Sequence, residues 1–297
     1  MNKFTLIFAV LFLAFLKSTF AATPQKMWVP VSPTKELYVE YYAPQAGRPT
    51  IVLLHGLTYT TAQWSKFIPH LTAKGYGVVC YDMEGMGQTL LKYAPVRSAI
   101  PMTGQMDDLH VLLKKMKISK PYNLLGLSYG GGVAFGYAVK FPKNVGNLIL
   151  MAPFMKPLKK VDDFIQQQVA ATRLMNPFNP YSDKQVEEFY FRQFVYATYP
   201  QQEPIVLENP YKLEAVFRMS YGVTTFIPEN NTDKLKVPAH LIVADKDQYF
   251  PLAEYENFWN LFPEDTKANF IVIKNSEHKI PEAQPALAAR AIEKILN

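Results

Sequence analysis

Ser128 stands between glycines in the stretch "LLGLSYGGG", residues 124 to 132, where an apolar run meets a helix-like one. A serine hydroxyl is a weak nucleophile at neutral pH; it needs a base, and the base needs an acid to orient it. Of the five histidines, His55 belongs to a loop motif, His70 and His110 fall in helix-like stretches, and His240 begins a strand-like run. His278 alone follows the last strand-like run, at the edge of a sheet where Ser128 would also lie. The run "HLIVA" ends into "DKDQYFP" and offers two acids, Asp245 and Asp247, of which Asp247 is preferred. The chain order Ser128, Asp247, His278 is one in which a nucleophile, its orienting acid and its base occur.

Attack on a carbonyl also needs donors for the oxyanion that forms. If a helix starts directly after Ser128, its unpaired N–H groups and positive dipole end face that anion, and the Tyr129 amide is one donor. The loop "HGLT", residues 55 to 58, follows an earlier apolar run and offers the Leu57 amide as a second, with His55 and Gly56 shaping the loop. Glycines at 126 and 130 fit a backbone that folds back tightly, and Gly131 and Gly132 let the following helix approach the sheet. The chemistry read from these residues is cleavage of a carboxylic ester through an acyl-enzyme, with no metal or organic cofactor required.

Such residues need a scaffold that brings strand ends together. "ELYVEYY" alternates as a half-buried strand and pairs with "MWVPV" in a first hairpin. "TIVLLHG", "YGVVCYD", "YNLLGLS" and "VGNLILMAP" are continuous apolar runs, the mark of strands covered on both faces. Helix-like stretches at 62–74, 103–117 and 129–141 separate them, which predicts an α/β fold: a mostly parallel sheet with helices on both faces. The alternation lapses over 153–237, where "KKVDDFIQQQVAATRL" and "DKQVEEFYFRQFVYATY" predict a helical insertion. It resumes with "AHLIVAD", a helix near 252–261, "ANFIVIKN" and a final helix "PEAQPALAARAIEKIL". The expected organisation is a signal segment 1–22, core 23–152, helical lid 153–237 and core 238–297.

The segment 1–22 is set apart because Lys3 precedes the apolar run 4–16, which is followed by small residues ending Ala21-Ala22. That pattern is a secretory signal peptide, and the run is shorter than a bilayer span requires. Cleavage after Ala21 or Ala22, and export to a periplasm or the medium, are expected, with no membrane span in the mature chain. Removing Lys3 and Lys17 leaves 29 basic against 25 acidic residues, without a basic run, so nucleic acid is not the expected partner. The single cysteine, Cys80, lies in an apolar run and reads as a buried small hydrophobe.

Taken together, "HGLT", "YDMEGMGQT", "GLSYGGG", "ADKDQYFP" and "SEHKIPEAQP" resemble, in order and spacing, the α/β-hydrolase family and its lidded esterase and lipase-like branch. The resemblance implies the α/β-hydrolase fold and a triad of Ser128, Asp247 and His278. Dehalogenases and epoxide hydrolases of the family resemble one another in using aspartate at the elbow, so Ser128 speaks against both. Two features depart from the family pattern: Glu84-Gly85-Met86-Gly87 replaces Arg-Gly-His-Gly, and Ala244 replaces glycine before the acid-bearing turn. The resemblance implies a hydrolase of a small-molecule ester or lipid-like substrate, and the signal segment makes it an exported one. Its alternatives are a lipase or lysophospholipase, a carbon-carbon bond hydrolase, and a non-catalytic binding protein. Lid acids Glu187, Glu188, Glu203 and Glu214 leave a peptidase as a minor reading, and the lid's aromatic content, close to the chain's 14%, names no substrate.

Overall fold

The structure, a computed structural model, describes residues 22–94, 98–202 and 211–297. The expected signal segment, apart from Ala22, and Glu203 lie outside the described residues. The described chain opens with an antiparallel hairpin of β1 (Gln25–Ser32) and β2 (Lys35–Tyr42). Pro30 is tolerated in β1 because that strand forms one edge of the sheet. There follow β3 (Thr50–Leu54), α1 (Ile68–Thr72), β4 (Gly77–Asp82), α2 (Gly87–Tyr93), α3 (Met102–Lys115), β5 (Tyr122–Leu127), α4 (Tyr129–Lys140) and β6 (Val145–Met151). Three helices, α5 (Lys159–Met175), α6 (Asp183–Gln202) and α7 (Lys212–Gly222), separate β6 from β7 (Ala239–Ala244). The chain ends with α8 (Leu252–Asn260), β8 (Lys267–Ile273), α9 (Ile280–Ala283) and α10 (Pro285–Leu296).

The eight strands form one sheet in the order β1-β2-β4-β3-β5-β6-β7-β8, in which only β2 runs against its neighbours. From β3 the chain crosses to β4 on one side and then returns past β3 to β5 on the other. The loops leaving β3 and β5 therefore diverge and open a crevice between them, at the carboxyl ends of adjacent strands. The loop at 55–58 and the turn at Ser128 flank that crevice. Strands β4, β5 and β7 are buried throughout, as their unbroken apolar runs require, whereas the edge strand β8 is largely half-buried.

Proline sets the main departures from the sequence reading. The single helix expected over 62–74 is divided into a 3₁₀ turn, Thr61–Trp64, and α1, which starts around Pro69. A proline lacks the N–H that a continuing helix would use and is suited to the first turn of a new one. The single final helix is likewise split at Gln284, whose φ of −136° and ψ of 54° precede Pro285, because a residue before proline avoids helical geometry. Helix α2 has no counterpart in the sequence reading; Asp82 Oδ2 accepts the Gln88 N–H at 2.8 Å and holds its first turn from the end of β4. Cys80 is fully buried, as expected of a small core residue, and burial pushes its thiol well up.

A chain of side-chain hydrogen bonds crosses the sheet near the amino ends of the parallel strands. Asn269 Nδ2 donates to His240 Nδ1 (2.9 Å), His240 Nε2 to Asn147 Oδ1 (3.1 Å), Asn147 Nδ2 to Asn123 Oδ1 (2.8 Å), and Asn123 Nδ2 to the Thr50 carbonyl (3.4 Å). This direction fixes a neutral Nε2–H tautomer for His240. Burial pushes its pKa from 6.5 down to about 4. The unfolded chain therefore binds a proton in this window that the folded chain refuses, so His240's share of stability is full above about pH 6.5 and is lost toward about pH 4. Asp82, pushed up to about 6 by burial, opposes this trend and is unaffected by a change at His240. The expected outcome is that between those limits wild type loses up to about 1.4 kcal/mol per pH unit more than His240→Gln. Urea titrations of the two proteins would measure the difference, and parallel curves would refute it.

Candidate functional site

The turn from β5 into α4 is built by close backbone contacts. A Cβ at Gly126 would lie 2.2 Å from the Gly130 carbonyl oxygen, and one at Gly130 would lie 2.2 Å from that of Leu54. Only glycine lets the three segments meet. The crossing forces Ser128 to φ 52°, ψ −119°, a left-handed value that non-glycine residues rarely adopt. It is held there from three sides: the Ser128 N–H donates to Met151 O (3.1 Å), and its carbonyl accepts from Gly131 N (2.8 Å) and Phe154 N (2.8 Å). Ser128 is half-buried at the mouth of the crevice. The Tyr129 N–H, at the first position of α4, has no acceptor one turn back along the helix.

The loop after β3 lies against this turn, since a Cβ at Gly56 would be 3.6 Å from Ser128 Cβ. His55 is fully buried and shapes the loop as expected: Nδ1 donates to the Gly56 carbonyl (2.8 Å) and Nε2 accepts the Met83 N–H (3.1 Å). Burial pushes its pKa down to about 4, so it is neutral at pH 7. Gln63 Oε1 accepts the Gly56 N–H at 2.8 Å, and Gln63 Nε2 donates to Glu282 at 3.3 Å, which braces the loop against α9. Leu57 follows directly, and Thr58 turns the chain at φ 75°.

At the carboxyl ends of β7 and β8 the turn after β7 brings Asp247 to His278. His278 Nδ1 and Asp247 Oδ2 are 2.7 Å apart, with the His278 side chain 9% and the Asp247 side chain 0% exposed. Three more donors satisfy the carboxylate: Tyr249 N (2.8 Å) and Phe250 N (3.2 Å) on Oδ1, and the Tyr255 hydroxyl (2.8 Å) on Oδ2. Burial works against the Asp247 charge, but the bonds from His278, Tyr249 and Tyr255 outweigh it and hold the carboxyl below its ordinary range. The Tyr249 ring meets the imidazole edge-on at 4.7 Å. Asp245, the alternative acid, instead accepts the Ser276 N–H at 3.2 Å and ties the two loops together. The backbone N–H groups of Asn275 and Ser276 hold its pKa low.

Tyr255 and Gln63 were not legible as site residues. Tyr255 lies on α8, eight positions after Asp247, and no motif spacing points to it. Trp64 and Met86 are fully buried in the core. At the divergent loop after β4, Glu84 pairs with Lys35 (2.7 Å), which also pairs with Asp108 (2.6 Å). Gln105 Nε2 donates to the Glu84 carbonyl at 3.0 Å, so this loop is braced by α3. Of the lid acids, Glu214 is bound by Arg192, by Arg218 (2.7 Å) and by the Tyr196 hydroxyl (2.6 Å), and Glu188 lies beside both arginines (3.8 and 3.7 Å). These two acids are engaged within the insertion.

A family model for the alpha/beta hydrolase fold matches residues 49–284. The chain is 25% identical over 266 residues to monoacylglycerol lipase ABHD6 of Rattus norvegicus, a match covering 82% of this chain and 74% of that protein. Among solved structures, a thermophilic esterase from Thermogutta terrifontis superposes with a TM-score of 0.65 at 21% identity, covering 92% of this chain and 98% of that one. The 2-hydroxy-6-oxo-6-phenylhexa-2,4-dienoate hydrolase of Rhodococcus sp. strain RHA1 superposes with a TM-score of 0.65 at 16% identity, covering 92% and 98%. At these identities the two structures establish a shared fold.

The crossing predicts unequal tolerance among the glycines around Ser128. Gly130→Ala places a methyl 2.2 Å from rigid backbone, whereas at Gly132 the nearest atoms belong to side chains, the flexible end of Met102 and the edge of the Phe154 ring, both at 3.1 Å. Gly130→Ala should lower stability by about 3 kcal/mol or more, or abolish soluble expression, and Gly132→Ala should cost about 1 kcal/mol or less. Thermal and urea unfolding would read the contrast.

Proposed function

The chain belongs to the α/β-hydrolase family, and from that premise we propose that it is a serine hydrolase of carboxylic esters with Ser128, His278 and Asp247 as its triad. The observation that carries the proposal is the buried Asp247–His278 pair, 2.7 Å apart, at the same sheet edge as a serine held at positive φ. Asp247 holds the imidazole by Nδ1, which leaves Nε2 to take the Ser128 hydroxyl proton. Ser128 Oγ then attacks the ester carbonyl carbon, and the Leu57 and Tyr129 amides donate to the oxyanion. Collapse of the tetrahedral adduct expels the alcohol, which takes the proton from His278 and leaves an acyl-serine. Water, deprotonated by His278, adds to that acyl group; the acid departs and Ser128 recovers its proton. The rat relative's name supports a lipid-like ester as the substrate class.

A fluorophosphonate probe should label the native protein and leave Ser128→Ala unlabelled. Asp247→Asn should keep the fold while lowering kcat about 10³- to 10⁴-fold, because the imidazole loses its preferred tautomer. Labelling that survives the serine substitution would reject the proposal, and a folded protein that neither labels nor hydrolyses any p-nitrophenyl ester would favour a binding role on the same scaffold.

We also propose that the chain is exported, on the strength of Lys3, the apolar run 4–16 and the small residues that follow. Protein recovered from the periplasm or medium should begin at Ala22 or Thr23 by amino-terminal sequencing. A chain that keeps Met1 in the cytoplasm would refute export.

A further inference from the structure

Among the described residues the four most exposed large apolar side chains fall within eight consecutive positions: Leu174 (84%), Met175 (85%), Phe178 (93%) and Tyr181 (60%). They occupy the end of α5 and the turn into α6. From Leu174 to Ser182 the chain carries no charged residue. Apolar side chains on a slack loop would fold back on the nearest apolar surface, and this turn is braced against doing so. Arg173 holds its inner side, with Nε on Asp183 (2.5 Å), Nη1 on the Asn179 carbonyl (3.1 Å) and Nη2 on the Tyr181 carbonyl (2.5 Å). Asn179 accepts the Tyr181 N–H at 3.0 Å, Ser182 and Gln185 cap α6 reciprocally, and Pro177 and Pro180 restrict the backbone further.

We infer that this tip, residues 174–181, docks the protein on a lipid surface by inserting its apolar side chains. Side chains this exposed protrude instead of lining a groove for a partner's side chain, and a bilayer conforms to any protruding apolar group. Several polar groups of its backbone are already bonded within the turn, which lowers the cost of entering a medium poor in hydrogen-bond partners. Asparagines at 176 and 179 and the hydroxyl of Tyr181 suit the headgroup level. The 29 basic against 25 acidic residues that remain after removal of the signal segment add attraction to an anionic surface. The insertion leaves the sheet at the carboxyl end of β6, the edge on which Ser128 lies, and the Phe154 N–H is bonded to the Ser128 carbonyl at 2.8 Å. Docking through the tip thus brings the site's own edge of the sheet toward the lipid phase. Docking does not depend on the triad; delivery of a lipid-like ester to Ser128 rests on the function proposed above.

The test is a Phe178→Trp variant in a Ser128→Ala background, read with vesicles of phosphatidylcholine and phosphatidylglycerol. After subtraction of the parent emission from Trp28, Trp64 and Trp259, the introduced tryptophan should shift to the blue on adding vesicles and be quenched by brominated phosphatidylcholine. The control substitution Leu91→Trp, at an exposed position on α2, should do neither. Leu174→Ser combined with Phe178→Ser, with its thermal unfolding unchanged, should weaken vesicle binding about 10-fold or more. Emission from the introduced tip tryptophan that vesicles leave unmoved would overturn the inference. So would a concentration-dependent dimer, found without lipid and dispersed by the double substitution, since it would assign the tip to a second copy of the chain. The Ser128→Ala background separates these outcomes from the catalytic reading, whose failure would show in probe labelling alone.

Discussion

Everything around the site depends on one backbone crossing, where α4 leaves β5 and passes against the end of β3. The gap there excludes a single methyl group at Gly126 or Gly130. Because the segments close to that distance, the residue between them is driven to positive φ and its side chain is lifted from the turn. The energetic cost of such a backbone, of order 1–3 kcal/mol, is offset by the surrounding order. Ser128 is bonded through its own N–H and carbonyl to Met151, Gly131 and Phe154, so the turn cannot relax without breaking contacts to β6 and to the start of the insertion.

The same crossing explains why the loop after β3 lies against the serine. Adjacent strands β3 and β5 send their chains in opposite directions, and the crevice left between them is lined by the two turns. His55 is committed to that geometry: with one nitrogen on Gly56 and the other on Met83, it is a brace between β3 and β4 and neutral by burial. His278 differs in kind, because its partner is a carboxylate that is itself buried and bonded four times. A neutral histidine packed as structure and a histidine steered by an anion are thus told apart by their partners.

The legibility of the fold followed the strength of local patterns. Continuous apolar runs marked β3 to β7 because strands covered on both faces exclude most polar residues, and the strand-helix alternation then implied a parallel sheet. Helix limits were less legible where proline intervened: Pro69 and Pro285 each start a helix that periodicity alone had fused to its neighbour. Helix α2 escaped because its first turn is held by Asp82, whose role as a cap depends on the chain turning back at Gly85 and Gly87, both at positive φ.

The sequence by itself determined the α/β alternation, the glycine spacing that makes the Ser128 turn possible, and the chain order of Ser128, Asp247 and His278. These are properties of residue type and local spacing, and they survive without knowledge of what touches what. Only the tertiary structure decided between Asp245 and Asp247 as the partner of His278, recruited Tyr255 and Gln63, and left the tip at 174–181 bare while bracing it from within. Each of those outcomes rests on contacts between segments distant in the chain or on burial, and no one-dimensional pattern encodes a distance through space.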